Sequence, residues 1–304
     1  MTLAPAQRPF PAVFVVVINW NGETDTAACL DSFLAQRGVT TEILLIDNAS
    51  PDGSGERLGK RYPTLAYRQA GENLGYAGGS NCGIKWAMTR GAEWIVVVNN
   101  DTVAEPECVL RMLEAARSDS RIAALAPLTV RFDSPDRVWF AGGRFDRVRA
   151  VGVHRQFGVQ VDEVLRKPGA DGRLWRECTF LTGCCLLLRR SALDQVGSFR
   201  ADFFAYVEDL ELSIRLRKAG WRIGWVPDAR LLHRVPPAGM HPSPMQIRLR
   251  DRNRRRLVRE QYPFHWKLLF ALWFWPTRAA HLVRYTFLRD WPRARAIVTG
   301  MTER

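Results

Sequence analysis

The sequence predicts an α/β fold, a parallel sheet flanked by helices, followed by a helical tail that is first basic and then aromatic. Three observations carry the prediction. Apolar, β-branched runs alternate with helical spacing through residues 12–130, and strands separated by helices fold as right-handed βαβ units. Three of the four runs end in Asn or Asp. Charge is concentrated at one end: residues 245–304 hold 14 Lys/Arg against 4 Asp/Glu, which is +10 of the chain's net +13.

The elements follow in order. "VFVVVIN" (13–19) reads as a buried strand and 24–36 as a helix. "EILLIDN" (42–48) is a second strand, then the turn cluster "ASPDGSG" and a short helix near 54–62. Helical spacing runs from Tyr76 to Arg90, "WIVVVNN" (94–100) is a third strand, and a helix opens at "AEPECVLRMLEAAR". "IAALAPL" (122–128) is the fourth run. Residues 131–178 lack a period and read as loops with short antiparallel strands. Residues 184–199 suit a strand leading into a short helix. The segment 206–227 suits a helix stopped by Gly220 and then a strand, because glycine just past a helix is a common stop. "PPAGMHPSP" (236–244) reads as a linker dividing 12–235 from 245–304.

With 47% hydrophobic and 25% charged residues the chain is an ordinary globular protein, which excludes a disordered or fibrous one. No stretch reaches the roughly 20 apolar residues of a membrane span, and the N-terminus lacks the pattern of a signal peptide. A cytoplasmic location is expected. Cysteines 29, 82, 108, 178, 184 and 185 form no CxxC pair or zinc spacing, so buried reduced thiols are expected.

Asn19 and Asn21, Asp47 and Asn48, and Asn99, Asn100 and Asp101 stand at three strand ends. Each alone is an Asn/Asp turn. Together, on one edge of a parallel sheet, they mark a binding crevice. The cluster "GENLGYAGGSNCG" (71–83) lets backbone pass close to something, or forms a flexible loop. It is neither GxGxxG nor a P-loop, so a dinucleotide or ATPase fingerprint is absent.

The stretches "VVVINWNG…LDSFLAQ", "EILLIDNASPDGS", "ENLGYAGGSNCGI", "VVVNNDT" and "FLTGCCLLLRRSAL…VGSF…FFAYVEDLELSIRLRKAGW" occur in order over residues 12–235. Together they resemble the family-2 inverting glycosyltransferases, with the bacterial rhamnosyltransferase-like enzymes as the most similar branch. The resemblance implies a GT-A fold, a nucleotide-binding α/β sheet joined to an acceptor region. It implies that Asn19, Trp20, Asn21 and Asp47 line the nucleoside pocket, although Trp20, like Trp86 and Trp94, reads by itself as a packing residue. Asn73 and a Gly78, Gly79, Asn81 loop would lie beside the nucleotide sugar. "NND" stands at the family's Asp-x-Asp metal motif, so Asp101 and His233 would hold a divalent ion, Mg²⁺ or Mn²⁺, beneath the donor diphosphate. Asn99 replaces the first Asp there, which removes one negative charge and leaves Asn99 to contact metal or sugar. Asp209 matches the general base; Gly183 and Glu208 fall on the acceptor side. Acids in a first helical turn also suit the helix dipole without any catalysis. His154 and His241 match nothing and read as surface or loop residues.

The implied function is transfer of a sugar, rhamnose from dTDP-rhamnose as first guess, from a nucleotide-sugar donor to a glycan or lipid-linked acceptor of the cell envelope. The tail "LLFALWFW" is too short to span a bilayer and Pro276 interrupts it, so basic and aromatic residues point to an anionic membrane surface. A helical cap on the domain is the alternative. A nucleotidyltransferase would need a Gly-rich basic loop where "NWNGETDT" stands. No nucleic acid is expected, since Asp47, Asp101 and Asp209 in one crevice would repel phosphate without a metal.

Overall fold

The computed structural model describes residues 12–166, 173–235 and 242–303. The first half repeats strand and helix: β1 (Val13–Asn19), α1 (Glu23–Leu34), β2 (Thr41–Asp47), α2 (Ser54–Arg61), β3 (Ala66–Gln69), α3 (Gly75–Thr89) and β4 (Trp94–Asn99). Strands β3, β2, β1 and β4 lie side by side and parallel, with Asn19 paired to Asp47 and Ile18 to Asn99. The register therefore brings the three polar strand ends to one edge.

β5 (Thr102–Ala104), α4 (Cys108–Arg117) and β6 (Ile122–Arg131) follow. β6 runs in the same direction but does not neighbour β4. Between them lies β11 (Cys185–Arg189), antiparallel to both, so the expected all-parallel sheet is mixed. The excursion that delivers β11 includes β7 (Val138–Phe140), the hairpin of β8 (Gly143–Asp146) and β9 (Val151–His154), α5 (Val161–Arg166) and β10 (Arg176–Glu177). Its antiparallel entry brings the start of β11, preceded by Gly183 and Cys184, to the polar edge.

α6 (Arg190–Val196), a 3₁₀ turn (Ala201–Phe203), α7 (Glu208–Lys218) and β12 (Arg222–His233) complete the unit. β12 pairs parallel with β6, and its end pairs with β5, setting His233 opposite Thr102. Alternation along β1 makes two cores: Phe14, Val16 and Ile18 face α3, α6 and α7, whereas Val13, Val15 and Val17 face α1, α2 and α4.

The last region is α8 (Pro244–Gln261), α9 (Phe264–Phe287) and α10 (Trp291–Thr302). Ser243 caps α8 in a capping box with Gln246, and Pro244 occupies its first turn. The expected linker and His241 lie largely or wholly outside the described residues, which resume at Pro242. Pro276 does not end the apolar run: α9 continues through it. The missing N–H falls on the exposed face, and the Thr277 hydroxyl caps the Trp273 and Phe274 carbonyls at 2.9 Å.

Candidate active site

A cleft of about 690 Å³ opens at the polar edge of the sheet. Asn99, Gly183, Glu208, Asp209 and His233 line it, joined by Tyr76, Trp139, His154, Thr182, Arg250 and Arg254.

One end of the cleft is defined by β4 and β12. Asp101 follows β4, and its Oδ1 lies 3.3 Å from Nε2 of His233. Both Asp101 Oδ1 and His233 Nδ1 are buried without a hydrogen-bond partner among the described residues. Buried polar atoms are ordinarily satisfied, so Asp101 Oδ1, facing Nε2 of His233, marks a place for a further group, while Nδ1 lies on the other side of that ring. No cluster of three or more His, Cys, Asp or Glu fit to hold a metal occurs among the described residues. A carboxylate with an imidazole suits an ion such as Mg²⁺ or Mn²⁺ that takes its remaining ligands from phosphate and water. Trp139 packs edge-on against both His233 and His154, with ring centroids 4.2 and 4.6 Å away. His154, read from sequence as a surface or loop residue, is instead a wall of the cleft, its Nδ1–H donating at 3.0 Å to the Trp139 carbonyl. Burial pushes its imidazole below the ordinary range.

The second feature is the start of α7. Phe204, Tyr206 and Val207 all have positive φ, a conformation rare for non-glycine residues and especially for a β-branched one. This turn presents Glu208 and Asp209 together. Asp209 Oδ2 accepts from the Gly183 N–H at 3.0 Å and Oδ1 from its neighbour Leu210 at 2.7 Å. Burial raises its carboxyl, while those N–H groups and the Arg250 guanidinium pull the other way. Glu208 is buried with Oε2 unpartnered among the described residues. Burial, then the charge of Asp209, pushes its carboxyl well above the usual range. The pair thus favours one ionised acid, Asp209, beside one neutral acid, Glu208. Tyr76 donates to the Gly183 carbonyl at 2.5 Å, tying α3 to this corner.

Of the residues expected at the nucleoside, Asn19 and Asp47 lie beneath the surface. Asn19 is fully buried; its Nδ2 donates to Asp47 Oδ1, Ser50 and Ser54 at 2.9, 3.0 and 2.9 Å, and its Oδ1 accepts from Thr26 at 2.8 Å. Asp47 also accepts from the Ser50 backbone. Both residues are bound into the loop after β2, and the backbone N–H of Asn21 joins them through Ser50. Trp20 is 49% exposed and is no core residue, unlike the buried Trp86 and Trp94. Asn73 is exposed and accepts from Asn48 and the Gly75 N–H at 3.0 and 2.9 Å.

Two expectations about 78–81 are corrected. Gly78 and Gly79 are not in a loop but inside α3 and buried. A Cβ on Gly79 would meet Ile18 of β1 at 3.3 Å, so its smallness lets α3 lie against β1, whereas one on Gly78 would meet Leu74, at the start of α3 itself, at 2.7 Å. Asn81 faces away from the cleft and donates to the Phe199 carbonyl at 2.7 Å.

Arg250 and Arg254 escaped sequence reasoning. They sit four apart on one face of α8, a helical signal hidden by five further arginines there. Trp139 had no signal at all, because only tertiary folding brings it to His233.

A family profile described as Glycosyl transferase family 2 matches residues 14–197. The N-acetylglucosaminyl-diphospho-decaprenol L-rhamnosyltransferase of Mycobacterium tuberculosis is 34% identical over 227 residues, 67% of this chain and 71% of its own. Galactofuranosyltransferase GlfT1 of the same organism is 28% identical over 229 residues, 73% of this chain and 70% of its own. Among solved structures, GalNAc-T7 with UDP, GalNAc and Mn²⁺ superposes with a TM-score of 0.65 at 15% identity, over 85% of this chain but only 49% of that one. The mannosyltransferase PcManGT from Pyrobaculum calidifontis, with GDP-Man and Mn²⁺, gives 0.54 at 18% identity over 95% and 85%. The fold is that of the GT-A glycosyltransferases, and the chain belongs to glycosyl transferase family 2.

Proposed function

We propose that this glycosyltransferase moves a deoxyhexose, with dTDP-rhamnose as donor, onto a lipid-linked glycan acceptor, inverting the anomeric centre. The observation that carries the reading is the arrangement of the cleft. His233, 3.3 Å from Asp101, and the Glu208–Asp209 pair line one cleft together with Asn99 and Gly183. The similarity to an L-rhamnosyltransferase supports rhamnose as the sugar and a lipid diphosphate as the acceptor.

In this reading Asp209 accepts the proton of the acceptor hydroxyl as that oxygen bonds to the anomeric carbon. The bond from that carbon to the donor diphosphate breaks on the opposite face, and the nucleoside diphosphate leaves. The Gly183 N–H holds the carboxylate in place. A base so placed contributes about 10²–10⁴-fold. Asp101 and His233 would hold a divalent ion, which when bound supplies positive charge to the leaving diphosphate. Asn19 and Asp47 shape the loop that carries the nucleoside. Residues 245–304 rest on an anionic membrane surface where the acceptor lipid resides.

Transfer is tested with dTDP-rhamnose and a short-chain lipid-diphosphate N-acetylglucosamine, beside calorimetry of dTDP with and without Mn²⁺. Metal-dependent binding in the wild type and its loss in Asp101→Ala are expected. Equal, metal-independent affinity in both proteins would sink the assignment of Asp101.

A further inference from the structure

α8 brings Arg250 and Arg254 to the cleft that His233 also lines. Arg254 is buried there, 8% exposed in its side chain, and is held by the Arg149 carbonyl at 3.1 Å and Asp251 Oδ1 at 3.4 Å. Its guanidinium lies over Trp273, with the carbon 5.0 Å from the ring centroid. Nη2 is left without a hydrogen-bond partner among the described residues. Burying a cation with an unmet donor is costly unless a ligand completes it. Asp251 offers little more, because Arg278 also donates to both its oxygens at 3.1 Å. One turn earlier Arg250 is exposed, lines the same cleft and lies over the Tyr206 ring at 4.9 Å.

In the proposed reading these two forks belong to the acceptor side. Arg250 acts on the Asp209 carboxyl, so it stands on the side of the base. β9 runs along the cleft wall from the Arg149 turn, which holds Arg254, to His154, which meets Trp139 beside His233. Its four residues span about 10 Å. An anion at the arginines is therefore distinct from one at Asp101.

We propose that Arg250 and Arg254 form an anion site that holds a phosphate ester of the acceptor while Asp209 addresses its hydroxyl. Arginine suits this because its planar fork matches phosphate oxygens two at a time. The assignment to the acceptor rests on the reading of Asp209 as the acceptor-side base; the anion site itself does not.

The test is calorimetric titration of the full chain with inorganic pyrophosphate in EDTA, where metal-dependent phosphate binding at Asp101 is removed. The wild type should bind, Asp101→Ala should bind equally, and Arg250→Gln should weaken binding about tenfold or more. Arg254→Lys, which keeps the charge and loses the fork, should weaken it too, with its melting temperature checking the fold. Binding that needs metal, or Arg250→Gln equal to wild type, overturns the site. Repeating the titration with saturating dTDP and excess Mn²⁺ separates the sources. Undiminished pyrophosphate affinity supports the acceptor; competition assigns the arginines to the donor diphosphate and overturns the proposal. Neither readout uses sugar transfer, so failure of the donor in turnover strikes the proposed function and leaves this site standing.

Discussion

At the scale of single residues the Glu208–Asp209 pair makes the sharpest demands. Two adjacent acids in a buried turn do not both ionise readily, and the hydrogen bonds decide between them: Asp209 accepts two backbone N–H groups and Glu208 has an oxygen left over. Asp209→Asn should therefore lower turnover by about 10²–10⁴-fold with dTDP affinity unchanged, whereas Glu208→Gln should lose far less. The reverse order in turnover assays would move the base to Glu208. Stability follows separately. Because the Glu208 carboxyl is raised in the folded state, it favours folding fully below its unfolded value, about 4.3, and that contribution is lost as pH rises through the folded value. Glu208→Gln, permanently neutral, should gain in melting temperature relative to wild type as pH rises above about 5. A difference that shrinks with rising pH would contradict the assignment. The two acids were visible in the sequence as residues. Which one is ionised was not, since that depends on Gly183, twenty-six positions away.

At the scale of elements, the turn before α7 owes its shape to α8. Asn253, fully buried, places Nδ2 2.8, 2.9 and 2.7 Å from the carbonyls of Phe203, Ala205 and Tyr206. These lie in the stretch whose backbone has positive φ at three positions, a conformation that persists only where surroundings enforce it. Asn253→Ala would take this donor from the part-buried Ala205 and Tyr206 carbonyls and should cost about 1–3 kcal/mol in chemical denaturation, with a fall in turnover. Unchanged stability and turnover would mean that the turn holds itself. The glycines of α3 teach a related lesson. A Gly-rich run before a helix looks the same whether the close neighbour is a ligand or a strand. Here Gly75, at φ +68°, would drive a Cβ to 2.4 Å from the Phe204 carbonyl, so the close neighbours are the chain's own.

Across the whole molecule, α9 stands out for what it leaves uncovered. Phe264, Leu268, Leu272, Trp275, Val283 and Phe287 follow helical spacing along one face, and Phe264 and Phe287 are 80% and 87% exposed. No helix among the described residues is long and apolar enough to cross a membrane, so such a stripe suits a helix lying flat on one. Burying a leucine contributes about 1.5–3 kcal/mol, so Leu272→Asp combined with Trp275→Asp should weaken flotation with phosphatidylglycerol vesicles more than tenfold. Equal flotation of variant and wild type would refute a membrane face. Truncating the tail is the poorer test, because α8 carries Asn253 and Arg254 into the site. The sequence by itself determined the alternating strands and helices, the three polar strand ends, the family resemblance and the basic, aromatic tail. These are local patterns, set by side-chain period and composition. Tertiary structure alone decided that β11 enters antiparallel between β4 and β6, that His154 and Trp139 join His233, and that α8 supplies arginines to the cleft. Contacts between residues far apart in the chain arise only when the sheet closes its order, and no period along the sequence encodes them.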